Sequence, residues 1–136
     1  MLDYRLHIEK ESMLNTPAVF AVYVSLLTLR WVKKRGLGNI EKANISKAEK
    51  LYNAIDSSSL FKGLVAKEDR SLRNVCYTAG SKELDDKFVA FAEQQNIVGI
   101  KGHRTVGGLR ASIYNAMDES GVEVLVEVMR AFERTL

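Results

Sequence analysis

Between Ile100 and Ala116 the chain reads IKGHRTVGGLRASIYNA, and four basic side chains fall close together there: Lys101, His103, Arg104 and Arg110. Arginine presents a planar fork of donors that matches a carboxylate or phosphate two bonds at a time. Histidine adds a donor in either charge state. Gly102, Gly107 and Gly108 frame the loop, and glycine lets backbone N–H groups approach a ligand closely. The stretch therefore holds the parts of an anion site. Arg110 differs from the others because the pattern around it alternates like a strand, which fixes a side chain's direction better than a loop does. An arginine in a half-buried strand needs an acidic partner, from the protein or from a ligand. Two readings fit this spacing equally: an anion site, or a hairpin loop with solvated bases and an internally paired Arg110.

A second candidate is Asn15-Thr16-Pro17. Asn and Thr suit a helix N-cap, and Pro suits the first helical position. The free N–H groups of a helix start, beside an amide and a hydroxyl, can hold a phosphate. A plain capping role is the commoner use of such a pair. His7 reads as a surface residue. Asp69 and Arg70, in KEDRS, read as a turn with a local ion pair and no chemistry. The sequence has no phosphate-binding glycine loop with its lysine, no paired-carboxylate signature and no serine nucleophile elbow. The single cysteine, Cys76, excludes an internal disulfide, and with only two histidines a structural zinc site has no ligand set. Cys76 sits in the strand-like run NVCYT and is expected to be a buried, inert thiol.

The elements that must carry these residues follow from period and punctuation. Val19, Tyr23, Leu26, Leu27 and Arg30 recur at helical spacing after Pro17, and predict a helix to about Arg35 that Gly36 closes. Lys33, Lys34 and Arg35 suit the negative end of that helix. A second helix is expected over about 40–56, with Ala48, Leu51, Tyr52 and Ile55 as its apolar stripe. Short strands are expected over 60–65, 74–78, 97–100 and 109–115. Further helices are expected over about 82–95 and 121–134, the last with Val122, Leu125, Val126, Met129 and Phe132 facing a core. Residues 1–14 show no period and read as an extended lead-in. The order implies one α+β domain over 1–136, with a small mixed or antiparallel sheet flanked by helices on one side.

Composition narrows the class. With 136 residues, 46% hydrophobic and 27% charged, the chain has the profile of a soluble globular domain. No apolar run reaches the roughly 20 residues that span a bilayer, and the acidic start does not read as a signal peptide. One thiol suits a reducing cytoplasm. The net charge of +3 permits an anionic partner without requiring nucleic acid.

The segment KGHRTVGGLRASIYNAM is closely similar to the signature of the phosphoserine aminotransferase family, which runs near KGHRSVGGxRASxYNAM. MLDY with SMLNTP, and VAKEDRS followed by NVCY, also resemble segments of that family in the same order. The resemblance implies the C-terminal small domain of a fold type I transaminase that uses pyridoxal 5'-phosphate (PLP). It implies a cytoplasmic homodimer that exchanges an amino group between L-glutamate and 3-phosphohydroxypyruvate. By the same resemblance Arg110 binds the substrate α-carboxylate. His103 and Arg104 lie near the substrate phosphate or the glutamate side-chain carboxylate. Asn15 and Thr16 reach the PLP phosphate of the other subunit. Three positions depart from the family pattern: Ala18 stands for a second proline, Thr105 for serine and Asp118 for proline.

The family's Schiff-base lysine, the acid on the pyridine nitrogen and the stacking aromatic have no counterpart here. The resemblance therefore assigns no catalytic residue to this chain, and the chain alone is expected not to transaminate. Two other classes stay open. One is a free-standing anion- or nucleic-acid-binding module built on the loop from Lys101 to Arg110. Against it, the bases are interleaved with Glu68, Asp69, Asp85 and Asp86, and only Tyr77 and Tyr114 lie on candidate strands for stacking. The other is a structural dimerisation domain that uses the apolar first helix.

Overall fold

A computed structural model describes residues 3–136; the opening Met1-Leu2 of MLDY lies outside the described residues. Where one domain over 1–136 is expected, contacts divide the chain into two units, 1–37 and 38–136.

The first unit carries α1 (Tyr4–Glu9) and α2 (Val19–Arg35). The predicted extended lead-in is overturned at α1. Asp3 caps that helix, its side chain accepting from the Arg5 amide at 3.1 Å, and also pairs with the Arg5 guanidinium at 2.8 Å. One local cap and one ion pair thus start a turn that no apolar period announces. The start of α2 also differs from expectation. Its N-cap is Ala18, without a side-chain cap bond, so Asn15, Thr16 and Pro17 precede the helix instead of opening it. Its end is as predicted, with Lys33, Lys34 and Arg35 in the last turn and Gly36 at φ 81° donating to the Val32 carbonyl. None of the residues of α2 is buried, although Phe20, Val22, Tyr23 and Leu29 are all large and apolar.

The second unit contains α3 (Leu37–Ser57), β1 (Lys62–Gly63), a 3-10 turn over Lys67–Asp69, β2 (Asn74–Thr78), α4 (Lys82–Gln94), β3 (Leu109–Ser112) and α5 (Glu119–Glu133). The sheet is antiparallel in the order β1-β2-β3, an α+β arrangement as expected. Alternation along β2 and β3 sends Val75, Tyr77, Leu109 and Ala111 into the core. Leu51 and Ile55 of α3, Phe88 and Ala92 of α4 and the predicted stripe of α5 cover that face. Phe61, Phe88 and Phe132 form the aromatic centre, with Phe61 and Phe88 edge to face at 4.9 Å; each such side chain stabilises the fold by roughly 1.5–3 kcal/mol on burial. The opposite face carries Asn74, which is exposed, and Cys76, Arg110 and Ser112, which are half-buried.

Three predicted strands shorten or vanish, and the one expected over 109–115 ends at Ser112. The run over 60–65 keeps only Lys62 and Gly63 in the ladder. The run over 97–100 is irregular: Asn96 sits at φ 61° and Gly99 at φ 77°, and Val98 points outward. Two left-handed residues so close together break a strand. Even so, Ile100 is buried and its carbonyl accepts from the Arg110 amide at 2.7 Å, while Lys101 bridges Leu109. The loop is therefore anchored to β3 at its base.

Candidate functional site

The loop from Gly102 to Gly108 closes on itself through its backbone. Gly102 N–H donates to the Gly108 carbonyl at 2.9 Å, and the amides of Val106 and Gly107 both donate to the His103 carbonyl, at 2.9 and 2.8 Å. The glycines are required at two of these points. A Cβ on Gly102 would meet the Gly107 carbonyl oxygen at 2.0 Å, and Gly108, at φ 68°, would press a Cβ to 2.9 Å from the Tyr77 carbonyl oxygen. The loop is thus folded tightly onto the end of β2, which leaves its side chains at fixed places.

Arg110 stands directly opposite Cys76 across the β2–β3 ladder, on the face away from the core. Opposite residues of an antiparallel pair lie about 5 Å apart and share a face. Together with Asn74, His103, Gly107 and Leu64 they line a hollow of about 300 Å³. Among the described residues the Arg110 guanidinium has no hydrogen-bond or ion-pair partner, and its Nε is enclosed. Of the two readings of the spacing, the internally paired Arg110 is not seen among the described residues. His103 also lines a second, adjoining hollow of about 590 Å³ with Arg104, Lys101 and Lys82, at the start of α4. His103 is thus shared between the two hollows, and all three predicted substrate residues fall around one loop.

The neighbouring charges are accounted for. Lys101 pairs with Asp86 at 2.9 Å, which holds the Asp86 carboxyl below its ordinary range. Asp85, one of the acids interleaved with the bases in the sequence, is buried and accepts from the Thr78 hydroxyl and, at 2.6 Å, from the Ala79 amide. It fastens the end of β2 to the start of α4. A groove of about 710 Å³ between α3 and α5 is larger than either site hollow, and its Lys50 is engaged by two acids of α5, Glu119 and Glu123.

Behind the site, α3 pins the segment that follows β3. Lys47 is only 2% exposed, and its ammonium donates to the carbonyls of Tyr114 and Met117 at 2.8 and 2.9 Å. Asn44 donates to the Asn115 side chain at 2.9 Å, and Ser46 to Glu119 at 2.7 Å. Nothing in the periodicity of α3 marks Lys47 for this role, because its partners lie 67 and 70 residues away.

Other expectations are corrected here. Cys76 is half-buried and lines the Arg110 hollow, where a buried thiol is expected from sequence. The alternation in NVCYT, which puts Cys76 on the side opposite Val75 and Tyr77, carries that signal. Arg70 pairs with Asp56 of α3, at 2.8 and 2.6 Å through both terminal nitrogens, and not with Asp69; its guanidinium also stacks over the Tyr52 ring at 4.4 Å. Asn15 and Thr16 are exposed and belong to the first unit. His7 is half-exposed in the last turn of α1. Among the described residues no cluster of His, Cys, Asp and Glu could hold a metal, and no helix is long and apolar enough to cross a membrane. A base-stacking platform also fails on the described strands, since Tyr77 is fully buried and Tyr114 lies beyond the end of β3.

Comparison with known proteins gives a consistent result. The family model described as Aminotransferase class-V matches residues 2–125. The phosphoserine aminotransferase of Porphyromonas gingivalis is 52% identical over 136 residues, and that of Flavobacterium johnsoniae 54% over 134 residues; each match covers 98% of this chain and 38% of the relative. Among solved structures, the phosphoserine aminotransferase from Bacillus circulans subsp. alkalophilus aligns with a TM-score of 0.91 at 42% identity, over 97% of this chain and 37% of that one. A PLP-bound phosphoserine aminotransferase from Trichomonas vaginalis aligns with a TM-score of 0.85 at 36% identity, over 94% of this chain and 37% of that one. The chain thus spans less than two-fifths of the length of the curated relatives it matches.

Proposed function

The chain belongs to the class-V aminotransferase family, and from that premise we propose that it is the C-terminal, substrate-binding part of a phosphoserine aminotransferase. The whole protein would convert 3-phosphohydroxypyruvate and L-glutamate to O-phospho-L-serine and 2-oxoglutarate, as a PLP-dependent homodimer in the cytoplasm. The observation that carries this reading is the unpartnered Arg110 guanidinium, facing a hollow that it shares with His103.

In this reading the fork of Arg110 takes the substrate α-carboxylate, because the strand fixes its direction and no internal acid competes for it. His103 and Arg104 take the second acidic group, the phosphate of one substrate or the side-chain carboxylate of the other. Two anionic groups on one small molecule match two adjoining basic hollows. The ligand's reacting carbon is then held between two fixed ends, which supplies orientation rather than chemistry.

PLP, when bound, carries the amino group between the two substrates. Asn15 and Thr16 fit its phosphate as an exposed amide and hydroxyl. The reactive carbon finds no lysine in the Arg110 hollow; Lys47 is enclosed and engaged by two carbonyls, and Lys101 is paired with Asp86. No chemical step is therefore assigned to this chain's own residues, which bind and orient. The exposed apolar side chains of α2, among them Phe20, Val22 and Leu29, belong to the same picture, as a surface for further protein to cover.

The test is a titration of O-phospho-L-serine into the isotope-labelled chain, followed by amide shifts. The expected result is saturable change confined to residues 102–110 and their β2 neighbours. Replacement Arg110→Met should weaken binding by about 10-fold or more, since a charge-assisted bond contributes roughly 1.5–3 kcal/mol. Equal response to a short oligonucleotide, or shifts that Arg110→Met leaves untouched, would defeat the reading.

A further inference from the structure

The geometry points to Thr105 as the positioning residue of His103, setting which of its ring nitrogens faces a ligand. The role of the exposed nitrogen rests on the substrate-site reading above; the ring's protonation pattern does not.

His103 Nδ1 lies 2.7 Å from the Thr105 hydroxyl oxygen, and the Thr105 backbone N–H points at the same nitrogen from 3.4 Å. The longer contact is weak as a bond but decides the direction of the shorter one. A backbone N–H can only donate, so the Nδ1 lone pair faces two donors from one residue. A hydrogen on Nδ1 would be driven against the Thr105 N–H, whereas a bare Nδ1 accepts from the hydroxyl and is favoured by both. In the neutral imidazole the ring proton then resides on Nε2, which becomes a donor. The two amide bonds from Val106 and Gly107 onto the His103 carbonyl fold the backbone so that Thr105 turns back under the ring. The β-branch of threonine further limits χ1, so the hydroxyl is held rather than free to wander.

The consequence for binding is specific. His103, which lines both hollows, would offer an anion an N–H donor without the ring having to be charged. A phosphate or carboxylate accepts such a donor at any pH at which the anion itself persists. With the opposite tautomer, a bare nitrogen would face the anion and repel it. Thr105 thereby contributes to anion recognition without touching the anion.

The two histidines of the chain, His7 and His103, make this directly measurable. The experiment is a two-bond proton–nitrogen correlation spectrum of the uniformly labelled chain at about pH 9, above the ordinary imidazole range, with His103→Gln used to assign the signals. The expected pattern for His103 is a single tautomer with the hydrogen on Nε2. Thr105→Val keeps the shape and removes the hydroxyl, and should shift both ring nitrogens toward a mixture of tautomers. Thr105→Ser should restore the original pattern. A hydrogen on Nδ1 in the unaltered chain, or ring shifts unchanged in Thr105→Val with the remaining amide spectrum intact, overturns the inference. Inorganic phosphate added to the same samples distinguishes the two levels. Phosphate that moves the Nε2 signal in the unaltered chain and moves it several-fold less in Thr105→Val supports both. A single tautomer that phosphate leaves undisturbed refutes the site reading and the recognition role of Thr105, while the tautomer assignment stands.

Discussion

Replacing Lys47 by methionine probes whether α3 really holds the segment behind the site. The ammonium is 2% exposed and donates to two carbonyls, Tyr114 and Met117, at ordinary bond lengths. Bonds to a charged donor contribute roughly 1.5–3 kcal/mol each. Against them stands the cost of removing an ammonium from water, several kcal/mol for a buried ion, and methionine of similar length escapes that cost. The balance turns on the carbonyls left behind. A covered acceptor without a donor costs about 1–3 kcal/mol, but both bonds are only partly buried, so water reaches part of the vacated positions. The expected net loss for Lys47→Met is therefore about 2 kcal/mol, near the middle of these limits. Urea unfolding should show a lower midpoint at unchanged slope, because the surface exposed on unfolding is the same. Amide hydrogen exchange at Tyr114, Asn115 and Met117 should accelerate more than in α4. A variant as stable as the parent, or more so, would show that desolvation dominates and that Lys47 does not pin this turn.

Two further predictions concern the same framework. The Tyr77 hydroxyl is enclosed and has no partner among the described residues, and burial together with the Asp85 charge pushes its phenol well above the ordinary range. Tyr77→Phe should therefore raise stability by about 1 kcal/mol, and a measurable loss in thermal or urea unfolding would reveal a partner for that oxygen. The Arg70 guanidinium beside Asp56 lowers that carboxyl from 3.8 to about 2. Because the folded value is depressed, the stabilisation is present above about pH 4 and is lost as pH falls through about 2. With the Asp56 side chain 31% exposed, solvent screening reduces the linkage value to about 1 kcal/mol. Asp56→Asn should show that deficit at neutral pH and lose it near pH 2. A deficit that stays constant over this range would place the effect in packing rather than in the charge.

Much of the site was legible from near neighbours in the chain. The 3.6-residue spacing of Leu51 and Ile55, and of Val122, Leu125 and Phe132, marks helix faces wherever they pack, and β2 appears over the residues that its alternation predicts. The glycine frame around His103 and Arg104 is equally local, since turn chemistry depends on φ at a few positions. The resemblance carried by KGHRTVGGLRASIYNAM set the family, which the comparisons bear out.

What the tertiary structure decided involves partners far apart in sequence. Local pattern says that Arg70 needs an acid; only the fold shows that Asp56, 14 residues earlier, supplies it. Local pattern likewise leaves Arg110 paired or free; the register sets it against Cys76, and among the described residues no acid pairs with it. Lys47 reads as one more lysine on a helix until the turn 67 residues later folds over it. Periodicity is written by atoms a turn or a pleat apart. The partner of a charge is chosen by whatever the completed core brings within about 3 Å of it, and no short window of sequence contains that distance.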